Sequence, residues 1–168
     1  MKNYKETAVI AGITLLVFAG IIWMATSSAK KTEEQANISN AVSKVFVAWD
    51  SSYDFGAISM AKGKVSNTFV LKNDGSNPVT INSIYTSCMC TSAILISGGN
   101  KKGPFGMAVH GFLPRVKEIV PIGGQVEVEV IFDPAAHGPA GIGSIERVVS
   151  LETSDGAVEL EFKALVKP

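Results

Sequence analysis

The stretch QVEVEVIF at 125–132 alternates without a break, with Val126, Val128, Val130 and Phe132 on one face and Glu127 and Glu129 on the other. A period of two belongs to an extended strand with one face in a core and one in water; a helix would mix these valines and glutamates around its circumference. The same alternation returns in AVELEFKALV, where Val158, Leu160, Phe162, Ala164 and Val166 share a face. Shorter apolar runs, VSNTFVLK (65–72), VTINSIYTS (79–87), TSAILIS (91–97) and IERVVSLET (145–153), are separated by turn signals such as NDGSNP and SDG. No helical periodicity competes beyond residue 45. The pattern predicts an all-β fold, an immunoglobulin-like antiparallel β-sandwich of about seven to nine strands.

One stretch breaks this rhythm. Between Gly98 and Gly124 there are seven glycines and three prolines, with only a short apolar run near 116–120. It reads as a long loop inserted between strands, and long loops on rigid sandwiches often carry function. A second glycine-rich loop, DPAAHGPAGIG, covers 133–143. Both histidines of the chain, His110 and His137, fall in these two loops.

The N-terminal region has a different character. From Thr7 to Ala29 there is no charged side chain, and the apolar core of that run is long enough for a helix to cross a bilayer, which takes about 20 residues. Trp23 sits near its distal end, where an indole favours the headgroup zone. A cleaved signal peptide competes, with Ser27-Ser28-Ala29 as a small-residue cleavage site. The run from Ala8 to Met24 exceeds the apolar segment of about 7–15 residues typical of signal peptides, so a retained anchor is the reading adopted. The expected organisation is an anchor over 1–29, a polar tether over 30–44 and one sandwich domain over 45–168 with its inserted loop at about 98–124. Lys+Arg and Asp+Glu number 15 each, and this balance, without a basic cluster, argues against a nucleic-acid partner.

Several segments of the soluble part are familiar. YDFGAIS (53–59), the Asn73-Asp74-Gly75 turn and Ser87-Cys88-Met89-Cys90-Thr91 resemble a bacterial extracytoplasmic family known as domain of unknown function fifteen-seventy-three. VEVIFDP and LETSDG resemble its later strands, so the likeness runs from about Trp49 to Val166. The resemblance implies an immunoglobulin-type sandwich of the Hydin/ASH kind and an exported location, which orients the single-pass cell-membrane anchor with its N-terminus cytoplasmic and the domain outside. It promises no activity, and the long stretch at 98–124 and the loop at 133–143 depart from its shorter members.

The two cysteines, Cys88 and Cys90, are one residue apart and project to one side of an extended segment, with Met89 directed away unless the backbone turns. Four readings are open. They can fill core space as small apolar groups. They can close a local disulfide, whose ring with one intervening residue is tight and therefore labile, although neither His nor Lys lies nearby in sequence to activate a thiolate. They can pair with another chain. Or they can supply two sulfurs to a soft-metal site, copper ahead of zinc, with Met107, His110 and His137 as further ligands.

Catalytic constellations are missing from the sequence: no G-x-S-x-G nucleophile turn occurs, and the strand glutamates mark a solvated face. The expectation is therefore a membrane-anchored, non-enzymatic domain that holds or delivers a soft metal, Cu(I) first among them, through Cys88, Cys90, Met107, His110 and His137. The alternative is a protein-interaction or cell-envelope module whose cysteine pair is structural or redox-labile.

Overall fold

The computed structural model describes residues 43–108 and 113–168. The apolar run at 7–25, read above as an anchor, and His110 lie outside the described residues. Among the described residues no helix is long and apolar enough to cross a membrane.

Among the described residues, ten strands form two five-stranded sheets. One sheet holds β1 (Phe46–Ala48), β3 (Val65–Asn73), β8 (Gln125–Phe132), β5 (Thr91–Ser97) and β6 (Asn100–Phe105), in that spatial order. The other holds β2 (Ser52–Ser59), β10 (Gly156–Lys167), β9 (Gly143–Thr153), β4 (Val79–Thr86) and β7 (Arg115–Val120). Every pairing is antiparallel except that of β2 with β10. The alternating residues behave as expected: Val126, Val128, Val130 and Phe132 of β8 and Val158, Leu160, Phe162, Ala164 and Val166 of β10 are all buried. These two central strands belong to different sheets, and Phe132 meets Phe162 across the core with ring centroids 5.4 Å apart.

The aromatic contacts continue outward from Phe162 to Phe55 at 5.6 Å and from Phe55 to Tyr53 at 4.8 Å, both edge to face. Phe55 is turned inward by a bulge. Asp54 Oδ1 accepts the Gly56 N–H at 2.8 Å, and Gly56 has φ +66°, which glycine adopts without a Cβ penalty. The register with β10 slips here, Lys163 facing Asp54 and Leu165 facing Ala57.

Ten strands exceed the seven to nine expected, and the difference lies largely at 98–124. That stretch contains β6 and β7, one at an edge of each sheet, rather than one long loop. Edge strands need not bury a face. β6 is almost wholly exposed, and β7 carries a bulge with Lys117 at φ +53°, so neither shows the alternation that reveals a central strand. Glu118 fastens the two edges together. It accepts from Lys102 Nζ of β6 and from Ser97 Oγ of β5, each at 2.6 Å. The Lys102 ammonium, followed by the Ser97 hydroxyl, holds its carboxyl below the usual carboxylate range.

Buried polar groups organise the end of the sandwich where the chain enters. Asn73 is fully buried; its Nδ2 donates to Asn77 O, Val120 O and Pro121 O at 2.9–3.2 Å, and its Oδ1 accepts the Gly75 N–H. One side chain thereby joins the β3–β4 turn to the β7–β8 turn. Gly75 is required beside it, because a Cβ there would come within 2.8 Å of Val45 Cγ2. At the same end Asp155 Oδ2 accepts from Ser43 Oγ at 2.5 Å and from the N–H groups of Lys44 and Val45 at 3.2 Å. The Ser43 hydroxyl, with these backbone donors, lowers the Asp155 pKa against a smaller opposing effect of burial.

Two outcomes follow for stability. Asn73→Ala leaves buried carbonyls without donors and lowers unfolding free energy by about 2 kcal/mol or more, read as a lower urea midpoint. Asp155→Ala costs about 1 kcal/mol at pH 7, since the group is half-exposed and its hydrogen bonds are partly screened. Because the folded-state pKa is depressed, this contribution is complete above the unfolded carboxylate value of about 3.9 and disappears as pH falls through the lower folded value. Urea melts of the two proteins should differ at pH 7 and converge under strong acid.

Candidate functional site

The cysteines lie in the connection from β4 to β5, where the chain crosses from one sheet to the other. Four such crossings gather at this end of the sandwich. Thr91 opens β5 opposite Phe132, the last residue of β8, and Phe132 also faces Val65, the first residue of β3. Gly143 opens β9 opposite Val166, and Thr86 forms an isolated bridge with Met107 just beyond β6. The connections β2–β3, β4–β5 and β8–β9, together with the start of β6–β7, therefore surround the cysteine pair.

The pair sits in a tight turn. Thr91 N–H donates to Cys88 O at 3.1 Å, and the buried Thr86 hydroxyl donates to Cys88 O at 2.9 Å, with Thr91 O also within 3.2 Å. Ser87 locks the turn to β9: its N–H donates to Val148 O, and its Oγ accepts the Val148 N–H at 3.0 Å. On the opposite side Asp133 N–H donates to Cys90 O at 2.9 Å. The turn brings Cys88 and Cys90 together as a disulfide, with Cα atoms 5.3 Å apart. Cys90 is buried at 3% exposure, Cys88 is partly buried, and Met89 points outward at 70% exposure.

The β8–β9 loop carries His137 over this turn. Asp133 begins the loop by accepting the Ala135 N–H on Oδ1 at 3.0 Å, and Lys64 Nζ lies 3.9 Å from its other oxygen. Successive turns close from Ala136 N to Asp133 O and from Gly138 N to Ala135 O, with Gly138 at φ +56°. A short 3-10 turn over Gly138–Gly141 follows, and Gly141 leaves room for the His137 Cβ, which would lie 3.3 Å from an added methyl. His137 is exposed, and its Nε2 is 3.2 Å from Cys88 Sγ. The Cys90 N–H also reaches Cys88 Sγ, at 3.3 Å. The two sulfurs and a ring nitrogen of His137 all lie within 4.8 Å of one another.

Of the five residues singled out from the sequence, the structure gathers Cys88, Cys90 and His137. Met107 is brought to the same end by its bridge to Thr86, with its side chain 46% exposed. His110 lies outside the described residues. Sequence reading did not identify Thr86, Ser87, Thr91 and Asp133 as the residues that shape the turn. Their hydroxyl and carboxylate side chains beside a cysteine pair and a glycine-rich loop were the available signal.

Comparisons with known proteins bear on the fold. No curated protein matches the chain in sequence. The chain is similar to a crystal structure of a protein of unknown function from Porphyromonas gingivalis W83, at 15% identity and a TM-score of 0.54 over 76% of this chain. It spans 48% of that protein, about half its length. It is also similar to the ASH/PapD-like domain 7 of human CEP192, at 11% identity and a TM-score of 0.46 over 74% of this chain and 87% of that one. Residues 47–103, a stretch that runs from β1 into β6 and contains the disulfide turn, match the family model described as Protein of unknown function (DUF1573).

Proposed function

We propose that this chain is a membrane-anchored, extracytoplasmic immunoglobulin-like domain that holds a soft metal, Cu(I), for delivery to a partner. The observation that carries the reading is the convergence of Cys88 Sγ, Cys90 Sγ and a His137 ring nitrogen within 4.8 Å. Thiolate and imidazole donors suit Cu(I) and Zn(II). The two thiolates, with the Met107 thioether brought to the same end as a candidate ligand, are soft donors, which favours copper. Met107, and His110 from the same connection, are the candidates for a further contact.

The ligand-competent form is the reduced one. Two electrons and two protons convert the Cys88–Cys90 disulfide to two thiols, and the metal then displaces the thiol protons. An exposed His137 on a loop, beside a buried Cys90, gives a site with one open side, as delivery to a partner requires. The role is binding rather than turnover, and the balanced charge of the chain supports a protein partner in the cell envelope rather than nucleic acid. The apolar run at 7–25 supports single-pass anchoring in the cell membrane.

The disulfide itself favours a second reading, a non-catalytic interaction module in which the cysteine pair only braces the β4–β5 crossing. One measurement tests the disulfide common to both readings, and a second separates them. Unfolded, unreduced protein should take up no iodoacetamide, and reduction should expose both thiols to it. The reduced full-length chain, kept anaerobic, should then bind one equivalent of Cu(I); Cys88→Ser/Cys90→Ser should abolish this binding, and His137→Ala should weaken it by about tenfold or more. Equal binding by the wild type and the double serine variant would leave only the bracing role.

A further inference from the structure

We infer that the Cys88–Cys90 disulfide exchanges with the dithiol of a partner protein, with Cys88 as the sulfur attacked and Cys90 as the sulfur released. This inference uses the same turn as the metal reading but does not rest on metal binding. Exchange requires a thiolate to approach one sulfur and displace the other. The two sulfurs are not equivalent here. Cys90 is buried at 3% exposure within the core, whereas Cys88 is partly buried against that core and its sulfur faces the exposed His137. A thiolate that comes in from the His137 side therefore meets Cys88 before Cys90.

Each sulfur has a possible donor for the step in which it leaves, Cys90 in the first and Cys88 in the second. Thr91 Oγ1 lies 3.7 Å from Cys90 Sγ and can turn its hydroxyl toward the charge that forms there. Cys88 Sγ has the Cys90 N–H at 3.3 Å and His137 Nε2 at 3.2 Å, the latter a donor when that nitrogen carries the proton. Hydrogen bonds to a developing thiolate lower the barrier to its departure.

The exchange balances in two steps. A thiolate of the partner dithiol, its proton lost to solvent, attacks Cys88 Sγ; a partner–Cys88 disulfide forms, the Cys88–Cys90 bond breaks, and the electron pair leaves on Cys90, which takes a proton. The partner's second thiolate then attacks the partner sulfur of the mixed disulfide. The partner's own disulfide forms, the pair leaves on Cys88, and Cys88 takes a proton. The partner dithiol is oxidised and the Cys88–Cys90 pair is reduced by two electrons, and the reverse sequence reduces a partner disulfide.

Exposed apolar side chains on the same end indicate a protein partner rather than a small hydrophilic thiol. Met89 lies in the turn itself at 70% exposure, Met107 bridges Thr86 at 46%, and Ile142 ends the His137 loop at 46%. These would receive apolar residues flanking the partner's cysteines.

The test uses the oxidised full-length chain with a metal chelator present throughout, so that its outcome is independent of copper binding. Wild-type protein is mixed with reduced glutathione, quenched in acid, and the adduct is located by fragment mass spectrometry. The inference expects the adduct on Cys88, and a reduced peptide with two cysteines and aromatic flanks should react about tenfold faster than glutathione at equal thiol concentration. An adduct on Cys90, an even split between the sulfurs, or no preference for the apolar peptide would overturn it. So would a disulfide that resists both thiols in folded protein yet yields once the chain is unfolded. As a second arm, reduced Cys90→Ser should form a mixed disulfide with oxidised glutathione faster than reduced Cys88→Ser, and the opposite order would contradict the assigned roles.

Discussion

Two sheets that share one apolar interior must exchange the chain between them, and in this protein four of those exchanges occur at one end. That constraint places the residues of the candidate site. Because β5 and β8 pair antiparallel with Thr91 opposite Phe132, the turn before β5 and the loop after β8 leave the sheet side by side. The first holds Cys88 and Cys90, and the second holds His137, so residues 49 positions apart come within 3.2 Å. Hydrogen bonds from Thr86, Ser87, Thr91 and Asp133 then fix the turn on both sides. A connection held in this way keeps its side chains in place when a ligand or partner arrives.

The opposite end is organised by a different device. Asn73 satisfies the backbone of two turns, and Asp155 gathers the first described residues of the chain. Buried polar groups of this kind are costly when half-satisfied and specify one arrangement when complete. The two ends therefore divide the work: one secures the fold where the chain enters, and the other presents sulfur and imidazole to the outside. The fold itself is shared with the Porphyromonas gingivalis protein, whose likeness at 15% identity speaks to architecture alone.

The central strands were legible because each buries one face. In β8 and β10 every apolar residue assigned to the inner face from the alternation is buried. β6 and β7 were hidden for the same reason in reverse: as edge strands they expose lysines, tolerate Pro104 and accommodate the Lys117 bulge, and so resembled a loop. At the site, the cysteine pair and His137 could be nominated from residue type, but their meeting could not be, because it depends on the register of β5 against β8. The sequence neighbours of Cys88 and Cys90 contain no imidazole, and the one that reaches Cys88 arrives through tertiary structure. The match to the family model ends at residue 103, before Met107 and His137, so it accounts for the turn and not for the histidine placed over it.

On the function proposed above, this turn and its histidine form one metal-holding unit when reduced. X-ray absorption at the copper edge, on the reduced full-length chain loaded with one equivalent of Cu(I), tests it most directly. Copper should have two sulfur neighbours and one imidazole nitrogen, with the imidazole signature lost in His137→Ala and no sulfur-bound copper retained by Cys88→Ser/Cys90→Ser. A copper environment made only of nitrogen and oxygen, or a spectrum unchanged by those substitutions, would contradict it.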